Sequence, residues 1–258
     1  MTTVSNFQIV ADRAALIEQA ATLTAEAIHA AIAQRGQCTL ALSGGSTPRP
    51  VYERLAAADL DWQNIRIFWG DERYVPQDHP DSNARMAREA WLNRVPIPPD
   101  HIYPVPTEAG DAAIDAARYE AIVRSVTGCS EGVPTLDVVL LGMGDDGHTA
   151  SLFPGTAVLT ESQRLVQAGS KDGEPRITFT FPLINQARRI YFWVAGASKQ
   201  AALGQIFAPG AVTGDRLTQY PASGVQPTTA EGQLLWLLDR AAALGLPEHL
   251  REGDGAGG

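Results

Sequence analysis

Low contents of cysteine, of basic residues and of long apolar runs each exclude a class of protein. The 258 residues include two cysteines, Cys38 and Cys129, which are too few for a disulfide scaffold. Acidic residues outnumber basic ones, 29 to 20, and the formal net charge of -9 disfavours a broad nucleic-acid surface. No run approaches the roughly 18 apolar residues that span a bilayer, and the first residues lack a signal-peptide pattern. We therefore expect a cytoplasmic protein that binds neither nucleic acid nor membrane.

What the chain does contain is an alternation of apolar, strand-length runs with helical segments. Residues 11–34 have apolar side chains at helical spacings, and Gly36 supplies a C-cap. Such alternation is typical of a parallel sheet, so we expect an α/β fold with a mostly parallel, open, Rossmann-like central sheet flanked by helices. Residues 1–252 should form one domain, and the Gly-rich residues 253–258 a disordered tail. The expected strands are 38–42, 65–69, 137–141, 177–181 and 189–194, whereas 231–241 fits a strand or a helix.

The most informative stretch is DVVLLGMGDDGHTASLFPG, residues 137–155. Its start is largely apolar and β-branched, as in a buried parallel strand. The Gly-rich loop that follows therefore sits at the carboxyl end of a strand, where open α/β sheets bind ligands. Asp145, Asp146 and His148 bring two carboxylates and an imidazole into one small volume. The pair Asp146 and His148 suits acid–base catalysis, whereas we assign no role to Asp145.

Residues 142–147, GMGDDG, also match the dinucleotide fingerprint G-x-G-x-x-G. In that fingerprint a pyrophosphate rests on backbone N–H groups at a helix N-terminus, and here two carboxylates would repel it. The match also lies in the middle of the chain and does not open the first βαβ unit. We therefore reject a nucleotide site, and we disfavour a metal site because contiguous ligands on one loop make a poor cage.

A second Gly-rich segment, 43–48, turns from an expected strand into an expected helix. Its glycines let backbone N–H groups face a ligand, its hydroxyls can donate hydrogen bonds or cap the helix, and Pro48 suits the first helical turn. The segment predicts an anion cradle at a helix N-terminus, with an ordinary capped turn as the alternative. It is not a Walker A loop, which requires a Lys after the second Gly. The cradle residues are Ser43, Gly44, Gly45, Ser46 and Thr47.

Two basic residues that follow strand ends are candidates for binding an anionic group. Arg73 lies in the charged segment DERYVP and can offer a bidentate fork to phosphate, although a solvated turn with Asp71 and Glu72 would explain the same residues. Lys199 falls in the first turn of an expected helix, the wrong end for a cation. This position favours a functional role over a plain surface lysine. Together with the cradle, these residues predict a small phosphorylated substrate.

Several sequence blocks follow one another in a familiar order. The blocks are SGGSTP at 43–48, DERYVP at 71–76, DSN at 81–83, GMGDDGHTASLFPG at 142–155, PRITFTFPLIN at 175–185 and GASK at 196–199. Together they resemble the 6-phosphogluconolactonases of the glucosamine/galactosamine-6-phosphate isomerase superfamily, and the resemblance spans nearly the whole chain. It implies hydrolysis of 6-phospho-D-glucono-1,5-lactone to 6-phosphogluconate, the second step of the oxidative pentose phosphate pathway.

When the family's roles are transferred to the matching motif, the resemblance makes His148 the general base that activates water. It makes Asp146 the group that orients or tunes His148. It implies a phosphosugar lactone as the small-molecule substrate, no cofactor, no metal, and a monomer or small homo-oligomer. Backbone N–H groups of the Gly-rich loops are candidates for holding an oxyanion. The individual roles of Lys171, Arg176 and Lys199 stay open. The further candidate substrate contacts are Asp71, Gly144 and Arg176.

Two other functions compete with lactone hydrolysis. The amino-sugar-phosphate isomerases and deaminases of the same superfamily resemble DGHIAFNEP in the histidine loop, with a Glu one residue before the Pro, where this chain has Phe153. Arg73 likewise replaces the Tyr of that branch's DEY, so both departures favour the lactonase. A non-catalytic sugar-phosphate sensor would carry a DNA-binding segment, and no basic helix-turn-helix pattern is visible.

Overall fold

The computed structural model describes residues 6–210, 212 and 214–251, so the tail expected at 253–258 lies outside the described residues. The strands are β1 (Asn6–Val10), β2 (Cys38–Leu42), β3 (Ile65–Trp69), β4 (Asp71–Arg73), β5 (Val138–Leu141), β6 (Val166–Lys171), β7 (Glu174–Phe179), β8 (Arg189–Val194) and β9 (Gln233–Asp239). The α-helices are α1 (Arg13–Arg35), α2 (Pro48–Leu55), α3 (Asn83–Ala90), α4 (Ala112–Thr127), α5 (Phe181–Asn185), α6 (Gln200–Ile206), α7 (Gly214–Gln219), α8 (Arg240–Ala243) and α9 (Glu248–Arg251). Within these described ranges, no helix combines the length and the hydropathy that a membrane crossing requires.

Six strands form one sheet in the order β1-β9-β8-β5-β2-β3, and every neighbouring pair is parallel. The long helix α1 packs against four of these strands, and α8 packs against β9 and β1. All residues of β2 and β5 are buried, as continuous apolar runs predict for strands covered on both faces. The expected α/β fold with a mostly parallel sheet is confirmed. Its six carboxyl ends all lie along one edge.

The strands at one side of this sheet were only partly predictable. β9 falls within 231–241, which fitted a strand or a helix, and it is a strand because β1 and β8 flank it on both sides. β1 was missed altogether. Its five residues, NFQIV, lie at the sheet edge and are only half-buried or exposed, so they carry a weaker apolar pattern than the central strands. The C-cap predicted for α1 is confirmed, since Gly36 adopts the left-handed conformation with φ 75°.

A second sheet, antiparallel in the order β4-β7-β6, corrects two expectations. The strand expected at 177–181 runs instead over Glu174–Phe179 as β7, and only Asp172 and Gly173 turn before it, with φ of 52° and 85°, so that β6 and β7 pair as a hairpin. The charged residues after β3 were open to interpretation as a solvated turn, yet they form β4 and pair with β7. Three charged residues carry no strand pattern, and their pairing partner lies about a hundred positions away in the sequence.

The start of β5 is fixed to β2 by a buried carboxylate. Asp137 was expected to begin the strand, but its side chain accepts hydrogen bonds from the backbone N–H and the hydroxyl of Thr39, both at 2.8 Å. The guanidinium of Arg35 donates to the other carboxylate oxygen at 2.6 Å. Buried carboxylates need such partners because ionised groups are costly to desolvate. This contact joins the amino ends of two central strands.

Glu72 has a structural role at the N-terminus of α3. It is 2% exposed, and its carboxylate accepts backbone N–H bonds from Asn83 at 2.7 Å and Ala84 at 2.8 Å, together with the hydroxyl of Ser82 at 3.1 Å. The first backbone N–H groups of a helix have no partner within the helix. A negative group there is also attracted to the positive end of the helix dipole. Burial raises the pKa of Glu72, and the bonds from Asn83, Ala84 and Arg73 oppose this shift.

We expect Glu72→Ala to destabilise the fold by about 3 kcal/mol, because it leaves several buried donors without an acceptor. The matched control is Glu53→Ala, which removes a half-exposed glutamate of α2 paired only with Arg49. This control should change stability by no more than about 0.5 kcal/mol. Urea unfolding followed by circular dichroism measures both variants, and equal midpoints for the two would contradict the assignment.

Candidate active site

A cavity of about 660 Å³ opens at the carboxyl edge of the parallel sheet, the edge at which open α/β sheets bind ligands. Its walls come from the loops that follow β2, β5 and β8, from β4 and the end of β9, and from the first turns of α1 and α3. Two predicted site residues, Asp146 and Arg176, do not line it. The predicted residues that do line it are Ser43, Gly44, Gly45, Ser46, Thr47, Asp71, Arg73, Gly144, His148 and Lys199.

Asp146 touches the cavity only through His148. Its Oδ1 lies 2.5 Å from Nδ1 of His148 and also accepts the backbone N–H of His148 at 3.1 Å. A carboxylate at Nδ1 favours the tautomer with a proton there, which leaves Nε2 free to accept one. Burial works against ionisation of Asp146, but the N–H and the imidazole of His148 outweigh it and hold the pKa of Asp146 below its usual value.

The glycine at 144 is required by this pair. A Cβ on Gly144 would lie 2.0 Å from Nδ1 of His148 and 2.5 Å from Oδ1 of Asp146. The loop itself is a tight turn, in which the N–H of Gly147 donates to the carbonyl of Gly144 at 3.0 Å. No helix begins there, since the next helical residues are 157–160. The dinucleotide fingerprint, which needs a helix N-terminus directly after its glycines, is therefore excluded by geometry as well as by charge.

An aromatic side chain and a lysine lie next to His148. The ring of Phe153 is buried, and its centroid lies 4.6 Å from that of the imidazole. The ammonium of Lys171, at the end of β6, lies 5.2 Å from the centroid of the Phe153 ring, within cation–π range. Lys171 therefore contributes to the surroundings of His148 through Phe153, a connection that the sequence did not reveal.

The predicted anion cradle is held open by its neighbours. The hydroxyl of Tyr52 accepts the N–H of Ser43 at 3.0 Å and donates to its carbonyl at 2.8 Å. A Cβ on Gly44 would lie 1.8 Å from Oδ1 of Asn83, and Gly45 has a φ of 107°, so both positions require glycine. Thr47 makes no side-chain capping bond to α2. The hydroxyl cap that the sequence allowed is absent at this residue.

Three cationic side chains line the cavity, and one of them was missed from the sequence. Arg13, in the first turn of α1, donates to the carbonyl of Ser46 at 2.8 Å. The first turn of a helix is the unfavourable end for a cation, so Arg13 carries the same signal in the sequence as Lys199. The guanidinium of Arg73 donates to the carbonyl of Asp81 at 2.5 Å.

Lys199 has a partner that we did not predict. Its ammonium lies 2.6 Å from Oδ1 of Asp145, and the hydroxyl of Ser198 donates to the same oxygen at 3.0 Å. The hydrogen bond from Lys199 is the main cause that lowers the pKa of Asp145. Asp145, to which the sequence analysis assigned no role, therefore connects the loop after β5 with the loop after β8.

Two carboxylates also line the cavity. Asp71 accepts the hydroxyl of Ser151 at 2.7 Å, and burial raises the pKa of Asp71 although this hydrogen bond and nearby cations oppose the shift. Asp239, at the end of β9, accepts the N–H of Gly196 at 3.0 Å and shapes the loop after β8; a strand-end aspartate was its only signal in the sequence. Arg176, by contrast, pairs with Glu174 at 2.9 Å and lies outside the cavity wall.

A parallel sheet with an open cavity at its carboxyl edge is typical of α/β proteins that bind a ligand at the ends of their strands. The family model described as "Glucosamine-6-phosphate isomerases/6-phosphogluconolactonase" matches residues 11–236. The chain belongs to this family, as the order of its sequence blocks predicted.

Individual relatives agree with this membership. The chain is 55% identical over 237 residues to a 6-phosphogluconolactonase of Synechocystis sp., covering 92% of this chain and 94% of that protein. The solved 6-phosphogluconolactonase of Trypanosoma cruzi matches with a TM-score of 0.80 and 30% identity, over 94% of this chain and 97% of that one. A monomeric glucosamine-6-phosphate deaminase matches with a TM-score of 0.75 over 92% and 98% of the two chains, and its 24% identity indicates a shared fold alone.

We expect Gly144→Ala to break the contact between His148 and Asp146, because the added methyl group would overlap both side chains. The matched control is Gly214→Ala, at a position in α7 where a Cβ meets nothing within 4 Å. Proton–nitrogen NMR of the imidazole groups measures the result. The hydrogen-bonded Nδ1 proton of His148 should disappear or shift strongly in Gly144→Ala and stay unchanged in the control. An unchanged signal in both variants would show that the loop accommodates the methyl group.

Proposed function

We propose that this protein hydrolyses 6-phospho-D-glucono-1,5-lactone to 6-phospho-D-gluconate, a step of the oxidative pentose phosphate pathway. The observation that carries the proposal is the 2.5 Å contact between His148 and Asp146 at the wall of a cavity that also holds an anion cradle. The names of the relatives in Synechocystis sp. and Trypanosoma cruzi support the same activity.

In this proposal the phosphate group of the substrate occupies the cradle at 43–47. Backbone N–H groups at the start of α2 favour an anion there. Arg13, Arg73 and Lys199 line the same cavity and would each supply charge-assisted hydrogen bonds to phosphate oxygens. The lactone ring then extends towards His148, so that one end of the molecule is anchored and the other reacts.

His148 acts as the general base. Its free Nε2 removes a proton from a water molecule, whose oxygen attacks the C1 carbonyl carbon of the lactone. The negative charge that develops on the carbonyl oxygen is stabilised by N–H groups of the Gly-rich loops. Collapse of the tetrahedral intermediate breaks the bond between C1 and the ring oxygen, and the imidazolium returns its proton to that oxygen. These steps use no cofactor and no metal.

Asp146 keeps the imidazole in the reactive orientation. Because its pKa is held below the usual value, the carboxylate stays ionised at neutral pH and stabilises the imidazolium that forms after proton transfer. Asp71 and Gly144 line the cavity and remain candidate contacts for the ring. Arg176 remains a candidate only if its pair with Glu174 opens.

Amino-sugar-phosphate isomerisation is disfavoured by the surroundings of His148. Where that branch of the family carries a glutamate, this chain places the ring of Phe153 against the imidazole at 4.6 Å. A phenyl ring can neither donate nor accept the proton that ring opening and isomerisation require. Turnover of glucosamine 6-phosphate in place of the lactone would reverse this preference.

The proposal extends to the setting in which the enzyme acts. We infer that residues 1–252 form one domain, that the protein acts in the cytoplasm as a monomer or small homo-oligomer, and that it binds neither nucleic acid nor membrane. The acidic balance of the chain, with a net charge of -9, supports the exclusion of nucleic acid.

We expect His148→Ala to lower kcat for lactone hydrolysis by about 100- to 10,000-fold, the usual contribution of a general base. A coupled assay measures 6-phosphogluconate and subtracts spontaneous ring opening. His29→Ala is the control, because His29 lies exposed on α1, and it should keep wild-type activity. Full turnover by His148→Ala would rule out the mechanism. Binding of the phosphorylated ligand by the wild type without any turnover would instead support the sensor interpretation.

We expect Arg13→Gln to raise KM for the phosphorylated lactone by about 10- to 100-fold, because a hydrogen bond to a charged group contributes about 1.5–3 kcal/mol. Unphosphorylated glucono-1,5-lactone should show no such change. Arg54→Gln is the control, since Arg54 is an exposed arginine of α2 that pairs only with Glu18. An equal rise of KM for both lactones would show that Arg13 supports the fold and does not bind the phosphate group.

A further inference from the structure

Asp145 lies at a junction between the two loops that carry the proposed chemistry. It belongs to the loop of His148, yet its Oδ1 accepts the hydroxyl of Ser198 at 3.0 Å and lies 2.6 Å from the ammonium of Lys199. The two donors are consecutive residues of the loop after β8. One carboxylate oxygen therefore connects the loop of His148 to a cation that lines the cavity.

The two partners differ in their position relative to the cavity. The side chain of Asp145 is 65% exposed and that of Lys199 is 20% exposed, and only Lys199 lines the cavity. Asp145 therefore holds Lys199 from outside the wall and does not occupy space that a ligand needs. An ammonium has three donors, so the contact to Asp145 leaves others for phosphate oxygens.

Stability is a poor explanation for this contact. The carboxylate of Asp145 is largely open to solvent, and solvent screening leaves such an ion pair little contribution to the free energy of unfolding. Orientation is a better one, because a free lysine side chain has many rotamers and loses them on binding, which weakens affinity. Asp71 and Asp239 also line the cavity, and an unrestrained ammonium would be attracted to these carboxylates. A partner outside the wall keeps Lys199 available to the ligand.

We propose that Asp145 is a positioning residue, which holds the ammonium of Lys199 in place for the phosphate group of the substrate. The inference rests on the proposed function, since it requires Lys199 to bind phosphate. It predicts that Asp145 lowers KM for phosphorylated substrates alone. Asp145 would thereby contribute to selectivity for phosphorylated over unphosphorylated lactones without touching either.

The test measures kcat and KM of Asp145→Ala, Lys199→Ala and the double variant with both lactones. Asp145→Ala should raise KM for the phosphorylated lactone by about threefold to tenfold, the effect of freeing one long side chain, with kcat within about twofold of wild type. Kinetics with the unphosphorylated lactone should not change. Lys199→Ala should raise KM further, and the double variant should equal Lys199→Ala, because Asp145 acts only through Lys199.

Two further variants serve as controls. Asp145→Glu keeps the charge and should restore part of the affinity, whereas Asp59→Ala removes an exposed aspartate far from Asp145 in the sequence and should leave both constants unchanged. Thermal unfolding of every variant shows whether the fold is intact.

The outcomes separate the inference from the function on which it rests. If Lys199→Ala raises KM and Asp145→Ala does not, the positioning role is wrong and the proposed function stands. If Asp145→Ala slows both lactones equally, Asp145 acts on the loop of His148 instead. A lower KM in Asp145→Ala would mean that the carboxylate competes with phosphate. If Lys199→Ala changes nothing, both phosphate binding by Lys199 and the role of Asp145 are wrong.

Discussion

Parallel pairing of the central strands is the constraint on which the site depends. Because β2, β5 and β8 run in the same direction, the loops that follow them emerge at one edge and meet around one cavity. The register is anchored at the opposite edge, where the carboxylate of Asp137 binds Thr39 and joins the starts of β5 and β2. A shift of one residue would turn every side chain of a strand to the other face. The register of the sheet therefore sets the positions from which the loops of the anion cradle and of His148 emerge.

Features of the fold and the site that depend on nearby residues could be predicted from the sequence, whereas those that depend on distant residues could not. The sequence patterns of the buried strands, the cradle and the pair of Asp146 and His148 each lie within a few consecutive residues, and the structure brings the cradle and His148 to one cavity. β4 was missed because its pairing with β7 is distant in the sequence. The partner of Lys199 was missed for the same reason, since Asp145 precedes it by more than fifty residues. Arg13 differs from these residues, because its place in the first turn of α1 is a local signal, the same one that marks Lys199.

Each cation of the cavity is restrained by an oxygen before any ligand arrives. Arg13 binds the carbonyl of Ser46, Arg73 binds the carbonyl of Asp81, and Lys199 pairs with a carboxylate. Such restraint lowers the conformational entropy that binding would otherwise remove. It also fixes the direction in which each donor points, which matters because a small displacement of a bound substrate slows a reaction far more than it weakens binding.

The oxygen partners of the three cations differ in charge, and this difference affects the release of the product. Carbonyl partners leave Arg13 and Arg73 with their full charge, whereas a carboxylate partner neutralises Lys199. Lactone hydrolysis converts an uncharged ring into a carboxylate, so the product carries one more negative charge than the substrate. A cavity with three uncompensated cations would bind that product more tightly than the substrate, and tight binding of product slows turnover. The wall of the cavity also carries two carboxylates, those of Asp71 and Asp239. In the proposed function, the pairing of Lys199 with Asp145 therefore lowers the net positive charge that would hold the more negative product.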